Sequence, residues 1–121
     1  MNTAATQQIQ KDLQTYAGVP TGVPTFAEYQ GYVSIDLFVQ GLKAAGANPT
    51  QASLINALLG MTAYNGAGLW GTHTLSFAMA DRGQASGIQN CWWITQFQGQ
   101  KFHLVSGMTP LCGKVLPGTV S

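Results

Sequence analysis

The chain has 121 residues, of which 45% are hydrophobic and only 7% charged, with a net charge of +1. That length suits one ordinary domain with a core, and the five Lys and Arg residues are scattered, which argues against nucleic acid or an anionic membrane as partner. No apolar run approaches the length of a membrane span, and Met1-Asn2-Thr3-Ala4-Ala5 has neither a basic start nor an apolar stretch, so no signal peptide is expected in this chain.

The first predicted element is a helix over about residues 6–16, where Ile9, Leu13 and Tyr16 mark a narrow apolar stripe that needs a partner surface. Gly18 to Pro24 then reads as an extended connection, because its two prolines push their predecessors out of helical geometry. Thr25, with Glu28 three residues on, has the spacing of a capping box for a long helix. From Tyr29 the apolar positions Tyr32, Ile35, Phe38, Val39 and Leu42 recur at helical spacing. Val33 and Leu37 widen the stripe until Asp36, Gln40 and Lys43 are left for water, so this helix is expected to be mostly buried. Gly46 stands where a left-handed cap is wanted. Asn48 is then the expected cap of a third helix, with Pro49 at its first position and Gln51 completing the box, running through Leu54, Ile55, Leu58 and Leu59 to Gly60.

Residues 60–71 form a glycine-rich loop. Gly66-Ala67-Gly68-Leu69-Trp70-Gly71 spells G-x-G-x-x-G, but that fingerprint needs a strand before and a helix after, and here the order is reversed. Strand-like segments appear only after about residue 70. Cys91 to Phe97 and Lys101 to Val105 read as a hairpin across Gln98-Gly99. Trp92 and Trp93 would point to opposite faces of the first strand, so one is less buried unless both faces are covered. An exposed indole and an unpaired edge predict self-association, as a homo-oligomer, of the chain on its own. Residues 106–121 read as an irregular tail.

Cys91 and Cys112 lack C-x-x-C spacing and a nearby histidine pair, which argues against a metal site. A disulfide between the hairpin and the tail is favoured over two separate thiols. It would contribute about 3 kcal/mol by loop-closure entropy. His73 and His103 are expected to be surface or strand-face residues, and Asp12, Glu28, Asp36 and Asp81 are too far apart in sequence to form a paired-carboxylate motif. No catalytic constellation and no cofactor motif stands out. Phe26, Tyr29 and Tyr32 fall at i, i+3 and i+6 around the start of the long helix. A pocket at that end would be lined by rings and two phenols, although for Tyr32, which continues the apolar stripe, a core position is favoured over a ligand contact.

Several motifs in order carry a resemblance: Gly31-Tyr32, Leu42-Lys43-Ala44-Ala45-Gly46, Asn56-Ala57-Leu58, Tyr64-Asn65-Gly66, Leu75-Ser76-Phe77, Asp81-Arg82-Gly83 and the hairpin across Gln98-Gly99. Over roughly residues 6–105 the chain resembles the C-terminal part of the type I periplasmic solute-binding proteins, the branched-chain amino-acid-binding family of ABC transporters. The resemblance implies an α+β piece of a two-lobed α/β fold, about three helices and then a short antiparallel hairpin. That piece is a single partial domain with a helical part at about 6–59, a loop-and-hairpin part at about 66–105 and the tail 106–121.

Such a piece would be a fragment, a truncated form or a split gene product that gives helices to one lobe and the hairpin to the other. The resemblance also implies a non-enzymatic role in the periplasm. The implied partners are a small amino-acid-like or other compact organic ligand, the remaining N-terminal portion of the binding protein, and an ABC transporter permease. Phe26, Tyr29 and Tyr32 are the residues it places toward the ligand. A self-associating structural fragment, or a small secreted enzyme or sugar-binding module stacking a sugar on Trp92 or Trp93, are the competing readings.

Overall fold

The computed structural model describes residues 3–20, 23–78, 91–105 and 109–114. It is an α+β arrangement: α1 (Ala4–Tyr16), α2 (Phe26–Ala45) and α3 (Gln51–Leu59), followed by β1 (Cys91–Trp92), β2 (Thr95–Gln98), β3 (Lys101–Leu104) and β4 (Leu111–Cys112).

All three helices open on a reciprocal side-chain cap, which satisfies backbone N–H groups that the first turn leaves without partners. Thr3 and Thr6 form the box of α1, so that helix starts at Ala4, two residues before the expected position 6. Thr25 and Glu28 form the box of α2 as the spacing predicts, and the helix begins at Phe26. The cap of α3 differs from expectation. Thr50, not Asn48, takes the extended cap conformation; its N–H donates to Ser53 Oγ at 2.8 Å and its hydroxyl accepts from Ser53 N–H at 3.1 Å. The Thr50–Ser53 pair satisfies both ends of a box, so the helix starts two residues later and Pro49 is left outside it. Gly46, at a φ of 93°, ends α2 as expected.

The long helix is less buried than its stripe implies. Gly41 is the buried residue of α2, while Ile35, Phe38 and Val39 are exposed. The reason is a narrow contact strip: α2 meets α3 closely at Gly41, where a Cβ would stand 2.7 Å from Leu58 Cδ2 and 2.9 Å from Leu54 Cδ1. A glycine in mid-helix costs about 1 kcal/mol against alanine, and here it lets two helices approach.

Beyond α3 the chain turns back onto α2 through Tyr64, which is 2% exposed. Its backbone bridges Leu75 in antiparallel sense, with N–O distances of 3.0 and 2.8 Å. Its hydroxyl donates toward Val33 O at 2.8 Å and Asp36 Oδ2 at 3.0 Å, and Trp70 packs edge-on against its ring with centroids 5.7 Å apart. Gly66, at a φ of 62°, sits under Trp70, where a Cβ would be 2.6 Å from Cε2. The G-x-G-x-x-G stretch is thus a set of turns packed on its own tryptophan.

The strands form two separate two-stranded sheets rather than one long hairpin. β2 and β3 pair from Thr95↔Leu104 to Gln98↔Lys101 across a turn of Gly99 and Gln100, both at positive φ, which is the primed turn that suits strand twist. The turn therefore lies one residue later than Gln98-Gly99. β1 pairs instead with β4, Cys91 opposite Cys112 and Trp92 opposite Leu111. The cysteines are bonded, with Cα atoms 4.0 Å apart. Within the stretch expected to be an irregular tail, Leu111–Cys112 therefore carries regular pairing. Trp92, the last residue of β1, is exposed, and Trp93, just beyond the strand, is half-buried. Asp81-Arg82-Gly83 lies outside the described residues.

Candidate functional site

The amphipathic stripe of α1 and the first half of α2 face one another across an open groove of about 630 Å³, bordered by Leu13, Tyr16, Tyr32, Ile35 and Val39 with Asp12, Glu28 and Asp36 among them. Three acids that are distant in sequence therefore share one groove. Sequence spacing does not show this, because Asp12 comes from α1 while Glu28 and Asp36 lie about two turns apart on α2.

Each aromatic candidate has a different place. Tyr32 borders the groove and its O–H donates to Asp12 Oδ2 at 2.8 Å, while Gln8 Nε2 donates to Oδ1 of the same carboxylate at 2.8 Å. That hydrogen bond to a carboxylate, with desolvation and the negative charges of Asp12 and Asp36 adding to it, pushes the Tyr32 phenol up to about 12. Tyr29 is half-buried and accepts from Gln10 Nε2 at 3.2 Å. Phe26, the first residue of α2, is 79% exposed. The groove thus brings in Tyr32 but is not bordered by Tyr29 or Phe26. Both phenols are tied to α1 and the phenyl ring stands free in solvent.

Sequence reading missed Asp36 and Tyr64 as structural anchors. Asp36 accepts from Gln40 Nε2 at 2.7 Å and from the Tyr64 hydroxyl, and burial with that bond raises the Tyr64 phenol far above its usual range. The available signal was the helical i, i+4 spacing of Asp36 and Gln40 on an otherwise apolar helix.

A second cavity, about 520 Å³, lies between the start of α1 and the loop after α3; its walls include Trp70, His73, Trp93 and Pro110. His103 is exposed on β3 opposite Gln96. Among the described residues no helix is long and apolar enough to cross a membrane.

A family model described as periplasmic binding protein matches residues 1–101. Comparison with curated proteins gives no match, and comparison with solved structures gives none. The matched span takes in all three helices, the glycine-bearing loop and the first strands, and the α+β architecture agrees with a piece of such a fold. The chain belongs to the periplasmic binding protein family, and with it to a class of extracytoplasmic solute-binding proteins.

Proposed function

We propose that this chain acts as the C-terminal portion of a non-enzymatic, ABC-transporter solute-binding protein that holds a small amino-acid-like or other compact organic ligand by closure of two lobes. The observation that carries the reading is the family match over residues 1–101. The geometry adds support at the head of α2: Phe26 offers an uncovered apolar ring, and the Tyr29 and Tyr32 phenols beside it are held by Gln10 and Asp12. Such a wall grips the apolar side of a ligand once a second lobe supplies the opposite wall and the polar clamp. Closure then follows from contacts made only in the closed state. In the intact protein the closed form would present itself to an ABC permease.

The test mixes this chain with a polypeptide carrying the N-terminal portion of such a binding protein and screens amino acids and compact organic acids by thermal shift. A ligand that raises Tm only in the mixture, and whose effect is lost in Phe26→Ala or Tyr29→Phe, supports the reading. Stabilisation of the lone chain by oligosaccharide, lost in Trp92→Ala, would replace it with the sugar-stacking reading.

One observation favours a second reading. Trp92, Phe97 and Phe102 are exposed on the strands, and the last two are direct cross-strand partners with rings 5.1 Å apart. A chain that only self-associates through that aromatic surface would form homo-oligomers by sedimentation and gain no stability from any ligand in the mixture.

A further inference from the structure

The loop after α3 and the β1–β4 ladder meet at one point. His73 is half-buried there; its backbone N–H donates to Trp70 O at 3.0 Å, and its ring lies edge-on to Trp93 with centroids 6.5 Å apart and planes at 89°. A ring nitrogen of His73 and the sulfurs of Cys91 and Cys112 all lie within 4.8 Å of one another. Register accounts for the sulfurs, since the two cysteines are direct cross-strand partners. The Trp93 contact accounts for the imidazole, since it pins the ring against the segment that follows Cys91 and Trp92. His73 also borders the 520 Å³ cavity, so the point is open on one side.

Two thiolates and a neutral imidazole are a donor set that suits a borderline-soft dication, and the two negative sulfurs balance its charge without a carboxylate. Tetrahedral zinc, with bonds of about 2.0 to 2.3 Å, places its ligand atoms about 3.5 to 3.8 Å apart. The three atoms lie within 4.8 Å of one another, so a shift of about 1 Å or less in the imidazole, together with parting of the bonded sulfurs, brings them to that spacing. A sulfur in a disulfide is not a thiolate and does not ligate in this way.

We propose that reduction of the Cys91–Cys112 disulfide creates a zinc-class metal site formed by His73, Cys91 and Cys112, with a fourth position open to water from the adjoining cavity. A dithiol supplies the two electrons and two protons: its two S–H bonds break, the Cys91–Cys112 bond breaks, two cysteine thiols form, and the reductant leaves as its own disulfide. Metal binding then releases the two thiol protons to solvent. An oxidised dithiol reverses the sequence and expels the metal as the protein's S–S bond re-forms. Disulfide and metal are alternative fasteners of the same two strands, chosen by the redox state of the surroundings.

The test uses the full chain, reduced with dithiothreitol, freed of it anaerobically and titrated with Co²⁺. One equivalent is expected to give thiolate-to-cobalt charge-transfer absorption and tetrahedral ligand-field bands, displaced by Zn²⁺ and absent from the oxidised chain. His73→Ala retains both cysteines and the disulfide, and is expected to weaken Co²⁺ binding by about tenfold or more without altering the circular dichroism of the oxidised chain. Diamide added to the zinc-loaded chain is expected to release one equivalent of zinc to a chromogenic chelator. A reduced chain with no charge-transfer band, folded or not, overturns the proposal. So does a His73→Ala chain that binds Co²⁺ as tightly as the parent.

Discussion

The helical end and the ribbon end of this molecule are held by different means. In the helical end, three reciprocal caps start α1, α2 and α3, and the Tyr64 hydroxyl ties the following loop to α2. Ile9 and Tyr64, 1% and 2% exposed, belong to this end. In the ribbon end, strands of two and four residues expose most of their side chains, and one covalent bond crosses between β1 and β4. Short strands bury too little apolar surface to offset the entropy of ordering them. A cross-link acts on the unfolded chain instead, and so stabilises a region that lacks a core.

The largest test of this contrast is removal of the cross-link. Cys91→Ser combined with Cys112→Ser is expected to cost about 3 kcal/mol, with loss of amide protection in β1 and β4 and little change in α2 and α3 by hydrogen exchange. Equal loss at both ends would show that they unfold as one unit. Next in size is Tyr64→Phe, which removes the hydroxyl from Val33 O and Asp36 while keeping the ring. It is expected to cost about 2 kcal/mol in denaturant unfolding followed at the helical signal, and to leave the reactivity of the disulfide toward thiols unchanged.

Smaller effects sharpen the account of the caps. Thr50→Ala is expected to cost about 1 kcal/mol, whereas Asn48→Ala stays within a few tenths. Thermal unfolding of the pair decides which residue starts α3. The smallest effect is a pH dependence confined to the helical end. The Tyr32 phenol is raised from 10.0 to about 12 because its O–H donates to Asp12, so the neutral form favours the fold. This contribution is complete below pH 10 and is lost as pH rises toward 12. The unfolding midpoint of Tyr32→Phe, followed across that interval, is expected to fall less steeply than that of the parent.

What the sequence made legible was local. The Thr25–Glu28 box depends on three-residue spacing, and Gly46 as a helix stop depends on one residue's backbone freedom; both are present. Asn48 failed because two overlapping boxes were spelled and Thr50–Ser53 answered both of its own donors. The burial of α2 failed because a stripe says which side is apolar but not what lies against it, and among the described residues little covers Ile35 and Phe38. Gly41 carried a readable signal, a glycine inside a strongly apolar helix, but its partner Leu58 is known only once α3 folds back. The same limit applies to the site. Spacing put Phe26, Tyr29 and Tyr32 on one helix start, while Gln10 and Asp12, which fix the two phenols, come from another helix. Likewise, nothing in the spacing of Cys91 and Cys112 brings His73 near them, because a turn and a cross-strand register do so.

The two glycine turns differ in how much evolutionary drift each tolerates. At position 99 the positive φ is open to solvent, with nothing within 4 Å of an added Cβ, so asparagine or aspartate is an admissible replacement there. At position 66 the same backbone region coincides with the face of Trp70 at 2.6 Å, and no side chain satisfies both demands. A saturation library selected for folding should therefore return a single letter at 66 unless 70 changes with it, and a small polar alphabet at 99.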